Sequence, residues 1–127
     1  MSSVLLIEDS PQMRLLMRTI LEADGHTVLE ADEGTKGLHL VVSGRPDCIL
    51  LDLMLPGIDG LSILRCLNAE GFKIPVIVVT SYIQERVREQ CLAMGAVACI
   101  GKPIIEDQLR YAVRKVLDDK KQGEPSG

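Results

Sequence analysis

Short, uninterrupted aliphatic runs alternate along this chain with stretches in which apolar residues recur every three or four positions. That rhythm predicts repeated strand-helix units rather than a helical bundle or a β-sandwich. The expected strands are residues 4–7, Thr27–Ala31, Cys48–Leu51, Val76–Thr80 and residues 98–100. The third and fourth of these are apolar throughout, as strands covered on both faces should be. In the first helical stretch Met13, Leu16, Met17, Ile20 and Leu21 form one stripe. Ser10 is placed to cap it, Pro11 stands where a missing N–H costs nothing, and Gly25 stops it. The last stripe is Leu109, Ala112, Val113, Val116 and Leu117, with Arg110, Arg114 and Lys115 on the remaining surface. Three shorter helices are expected near residues 36–42, 61–69 and 84–94. Right-handed crossovers then give an α/β fold, an open doubly wound parallel sheet of five strands with five helices.

Composition narrows what such a sheet can do. The chain has 127 residues, enough for one domain. Hydrophobic residues make up 46% and aromatic residues only 2%, so the core is aliphatic and base-stacking platforms are not expected. Fourteen basic against 18 acidic residues leave a net charge of −4, the wrong sign for direct nucleic-acid binding. No apolar run is long enough to span a membrane and no signal-type leader is present, which makes the expected location cytoplasmic. Cys48, Cys66, Cys91 and Cys99 lie in apolar segments without C-x-x-C spacing and are read as reduced core residues. His26 and His39 stand alone and are read as surface residues. Residues 118–127 are polar and read as a frayed end, and the domain boundary is placed at 1–119, with 120–127 a polar tail or the start of a linker.

Ligands of open α/β sheets bind beyond the carboxyl ends of the strands, and here those ends are chemically loaded. The first strand leads into Glu8 and Asp9, the third into Asp52, the fourth ends in Thr80, and the fifth leads to Lys102 and Pro103. Three carboxylates meeting in one pocket repel one another unless a cation compensates them. Oxygen donors without a nearby imidazole or thiolate favour a hard divalent ion, and so few carboxylates suit Mg²⁺ better than a Ca²⁺ cage.

Glu8-Asp9, the segment Asp52-Leu-Met-Leu-Pro56-Gly-Ile-Asp59-Gly60, Thr80 and Lys102-Pro103 together resemble the receiver domain family of two-component response regulators. The resemblance runs from Val4 to about Leu117 and implies a flavodoxin-like sheet of strand order 2-1-3-4-5. It further implies a phosphorylation-dependent signalling switch rather than an enzyme. Asp52 is then the phosphoacceptor for a histidine kinase or phosphotransfer protein. Asp9, Asp52 and the Met54 backbone carbonyl ligate Mg²⁺, with Glu8 acting directly or through water. Lys102 pairs with the phosphoryl oxygens, Thr80 donates a hydrogen bond to them, and the Lys102–Pro103 bond is commonly cis. The reader of the signal is a downstream protein partner or a fused output domain, with no direct nucleic acid and no membrane.

Two features depart from the family's pattern or tune it. Cys99 stands where the family usually has an aromatic switch residue, so the output is expected to travel through the loop after Thr80 and the following helix, with Tyr82 supplying bulk. Met54 and Tyr82 occupy positions bordering the path of an attacking water, and neither can orient one, which predicts slow self-dephosphorylation. An aspartate-nucleophile phosphatase is disfavoured because Met54 stands where a second acid is needed. A flavin carrier is disfavoured because Glu8 and Asp9 would repel its phosphate. The remaining alternative is a receiver-like interaction module that acts without phosphorylation, which Cys99 alone favours.

Overall fold

The computed structural model describes residues 2–81 and 83–123. Five strands and five helices alternate: β1 Ser3–Ile7, α1 Pro11–Ala23, β2 Thr27–Ala31, α2 Gly34–Gly44, β3 Cys48–Leu51, α3 Gly60–Ala69, β4 Val76–Thr80, α4 Glu85–Ala93, β5 Ala98–Gly101 and α5 Glu106–Gly123. All strands are parallel, in the order β2-β1-β3-β4-β5. The expected fold class is the observed one.

Alternation along the strands divides the core into two. Leu5, Ile7, Ile49, Leu51 and Val78 pack beneath α2, α3 and α4. Val4, Leu6, Leu50, Ile77 and Val79 pack against α1 and α5. Burial on both faces explains why β3 and β4 read as unbroken apolar runs.

Local chemistry sets the helix ends. The Ser10 hydroxyl accepts from Met13 N at 3.2 Å with Pro11 at the first helical position, and the Asp59 carboxylate caps α3 through Ser62 N at 2.8 Å. After α1, Gly25 takes φ +88°, a region that disfavours any side chain. By contrast α4 has no side-chain cap, and Cys91 is its sole fully buried residue.

Four expectations need correction. Leu16 is 43% exposed, because it sits at the edge of the α1 stripe, most of a half-turn from Leu21. Cys66 is only half-buried, whereas Cys48, Cys91 and Cys99 are core residues; all four are free thiols. His26 is not a surface residue: its side chain is 10% exposed, with Nε2 buried 3.7 Å from the Asp24 carboxylate. The turn after α1 folds His26 under that carboxylate. Residues 118–123 continue α5 as helix rather than fraying, since Lys and Gln propagate a helix well once it has begun; residues 124–127 lie outside the described residues.

Candidate functional site

Parallel strands bring their carboxyl ends to one rim, and the register levels them, with Ile7 opposite Leu51 and Thr80 opposite Gly101. The residues that follow the strands therefore meet. Glu8 N donates to Ala31 O and Asp52 N to Ile7 O, both at 3.0 Å, so each acid begins where its strand's ladder ends. Glu8 and Asp52 are 1% and 4% exposed, whereas Asp9 stands at the surface.

Lys102 reaches this rim from the end of β5. Its Nζ lies 2.5 Å from Glu8 Oε1 and 3.3 Å from Asp52 Oδ2. Its backbone N donates to Thr80 O at 2.9 Å, and the Lys102–Pro103 peptide bond is cis. Thr80 is fully buried. The second Asp52 oxygen, Oδ1, accepts from Met54 N at 3.1 Å, and Ser10 N donates to Glu8 Oε2 at 3.2 Å.

The turn after β3 is built for close approach. A Cβ on Gly60 would fall on the Asp52 carbonyl oxygen and 2.5 Å from Leu53 Cα. Only glycine lets α3 begin so near the acid. Gly57 in the same turn has φ +76°.

The electrostatics are unbalanced. Carboxylate oxygens of Glu8, Asp9 and Asp52 lie within 4.8 Å of one another, the only such group of three potential ligands among the described residues. Three carboxylates against one ammonium leave a surplus of two negative charges. A hydrogen bond shared with Glu8, then burial and the Glu8 charge, push the Asp9 carboxyl above the ordinary aspartate range. Burial draws the Lys102 ammonium towards neutrality, but its hydrogen bonds to Glu8 and Asp52 and their charges outweigh this and hold its pKa above the usual lysine value. An all-oxygen donor set with excess negative charge fits a hard divalent cation.

Sequence comparison now decides the family. The model described as the response regulator receiver domain matches residues 4–114. The chain belongs to that family. Sporulation initiation phosphotransferase F of Bacillus subtilis is 32% identical over 90% of this chain and 92% of its own. Protein PilH of Pseudomonas aeruginosa is 35% identical over 92% of this chain and 98% of its own. Among solved structures, a Francisella response-regulator receiver domain superposes with TM-score 0.91 at 25% identity, covering 94% of this chain and 99% of the other. The BeF₃-activated receiver domain of Klebsiella pneumoniae RstA gives TM-score 0.86 at 28% identity, covering 91% and 97%.

Within this receiver domain Cys99 is 8% exposed in β5, paired with Val78, and burial pushes its thiol up. It fills little space. The Ile83 side chain instead lies against Gly101, where a Cβ would come within 3.2 Å of it. Tyr82, expected to supply bulk there and to border the water path, lies outside the described residues. Among the described residues no helix is long and apolar enough to cross a membrane.

One participant escaped the sequence reading. The Arg14 guanidinium donates from Nη1 to the Glu8 carbonyl oxygen at 2.6 Å, and its Nε lies 3.5 Å from Glu30. The available signal was position: Arg14 lies one turn beyond the Ser10 cap, where an α1 side chain leans back towards the helix start.

Proposed function

We propose that this chain is a phosphorylation-dependent switch of a two-component system, in which Asp52 receives a phosphoryl group from a histidine kinase or a phosphotransfer protein. The observation that carries this reading is the meeting of buried Asp52 with Lys102, Glu8 and Asp9 at one rim. An Asp52 carboxylate oxygen attacks phosphorus, the bond to the donor atom breaks with its electron pair leaving on the donor, and an aspartyl phosphate results. Glu8, Asp9 and Asp52, with the Met54 carbonyl, would hold Mg²⁺. Bound there, the ion offsets charge on the phosphoryl oxygens.

Lys102 is the cation that responds. Before transfer its ammonium is engaged by Glu8 and Asp52; afterwards the phosphoryl oxygens are the stronger acceptors, and it turns to them. Thr80 then donates its hydroxyl to the same group. Movement at Thr80 passes to the loop that follows and to α4, whose thin anchoring through Cys91 makes it easy to displace. Ile83 against Gly101 couples that loop to β5 in place of the usual aromatic side chain. A downstream protein or a fused output domain reads the result. Met54, 66% exposed, has no group that could orient water towards the phosphorus, which favours a long-lived phosphorylated state.

The test is labelling with acetyl phosphate. One phosphoryl group per chain is expected with Mg²⁺, and none with a chelator or in Asp52→Ala. Labelling that survives Asp52→Ala would overturn the assignment, and no labelling of the wild type would leave the interaction-module reading in its place.

A further inference from the structure

Every polar backbone and side-chain group of Glu8 is held. Its N–H donates to Ala31 O, its carboxylate takes Lys102 and Ser10 N, and its carbonyl oxygen takes Arg14. The first three contacts belong to the sheet or to the acid cluster. The Arg14 contact belongs to neither and has a separate consequence, because the Glu8 carbonyl shares a peptide plane with Asp9 N. Fixing that plane fixes where the Asp9 Cα stands and the N–Cα axis about which its side chain can swing, and so narrows where the carboxylate can reach.

Without a cation, Asp9 gains by moving away. Its carboxylate lies within 4.8 Å of those of Glu8 and Asp52, and it stands at the surface with room to turn. Rotation of the Glu8–Asp9 peptide would relieve the repulsion and dismantle the three-acid group. A hydrogen bond on the Glu8 carbonyl opposes that rotation. Arg14 is suited to supply it, since its side chain is only 18% exposed and its other edge is tethered to Glu30. Glu30 is itself held by Arg18 Nη1 at 2.6 Å, and Arg18 Nε is bound to Glu22 at 2.8 Å. Arginine's fork can grip two acceptors in fixed directions at once, which a lysine ammonium on a flexible stem cannot do equally.

We infer that Arg14 is a positioning residue for divalent-cation binding, holding the Glu8–Asp9 peptide so that the three carboxylates stay converged in the absence of the ion. This rests on the proposed function of the rim and deepens it. The sign of the effect separates the inference from simple electrostatics: a nearby positive charge repels Mg²⁺, so if Arg14 acted only through its charge, removing it would tighten binding. Loss of preorganisation weakens it.

The experiment is calorimetric titration of the full chain with MgCl₂ at constant ionic strength, using wild type, Arg14→Gln, Arg14→Lys and Glu30→Gln. Circular dichroism and thermal unfolding check that each variant folds. Arg14→Gln is expected to weaken Mg²⁺ about tenfold. Arg14→Lys should fall nearly as far despite keeping the charge, and Glu30→Gln, which loosens the tether without touching the acid loop, about threefold. Labelling of Arg14→Gln by acetyl phosphate should recover at saturating Mg²⁺. A dissociation constant unchanged or tightened in folded Arg14→Gln, or restored by Arg14→Lys, would overturn the inference alone. A wild type that binds no Mg²⁺ would overturn the site reading and this inference with it.

Discussion

Lys102 joins the end of β5 to the ends of β1 and β3, and Arg114 joins α5 to Asp24 in the turn after α1. Both tie together parts of the chain some 90 residues apart. Arg114 meets Asp24 with two nitrogens, one at 2.7 Å, in a balanced pair whose arginine is 62% exposed. Lys102 is 16% exposed and faces more negative charge than it can neutralise. The two clusters have similar reach but opposite bookkeeping. A balanced pair with its arginine in solvent is complete as it stands, whereas an acid surplus with two of its three carboxylates buried is held by the fold at a cost that a further positive charge would relieve.

The largest effect should follow Lys102→Met. It leaves Glu8 and Asp52 facing each other without a cation, at a cost of about 3 kcal/mol in chelator, part of which Mg²⁺ should restore. Urea unfolding with and without Mg²⁺ measures both, and a neutral substitution in chelator would erase the contrast between the clusters. Because its pKa is raised on folding, the stability Lys102 provides is fully present below the ordinary lysine value and is lost only as pH rises through the higher folded one. No pH dependence from this group is expected near neutrality.

Backbone packing sharpens the same contrast. Gly60→Ala drives a methyl into the Asp52 carbonyl and Leu53, and should cost about 2 kcal/mol. At the other cluster Gly25→Ala meets no atom within 4 Å and suffers only its positive φ, about 1 kcal/mol. Paired thermal melts would test the order, and a larger loss at Gly25 would contradict the close fit of the rim.

Asp9→Asn should move stability the other way. The folded protein raises this carboxyl, so its favourable protonated form is fully present below the ordinary aspartate pKa and is lost as pH rises through the higher folded value. At neutral pH the charge is therefore a burden, and the amide should raise the melting temperature in chelator while abolishing Mg²⁺ binding. The gain should vanish in acid, and a neutral-pH loss instead would show that Asp9 is not crowded.

Arg114→Ala should have the smallest effect. A slight melting-temperature drop at low salt, absent at high salt, with Mg²⁺ binding unchanged, fits a screened surface pair.

How much of this the sequence discloses depends on the range of the interaction. Ser10, Pro11 and the run Cys48–Leu51 act within a few residues, and the observed elements follow them closely. The acids and the lysine were legible because parallel strands deliver their ends to one rim wherever the register falls. Arg14 was not, since its partner is a backbone carbonyl, which carries no mark in a sequence. Nor was His26, whose burial depends on a turn folding back beneath Asp24. Strand order also lay beyond periodicity, which says that strands alternate with helices but not which strands are neighbours, and it came from family resemblance.

The most direct measurement is a Mg²⁺ titration followed by amide NMR shifts in the wild-type chain. The account predicts one saturable event centred on Glu8, Asp9, Asp52 and Met54, with Asp24 and Arg114 unmoved. Shifts that never saturate, or that are as large at the Asp24 turn as at the rim, would contradict it.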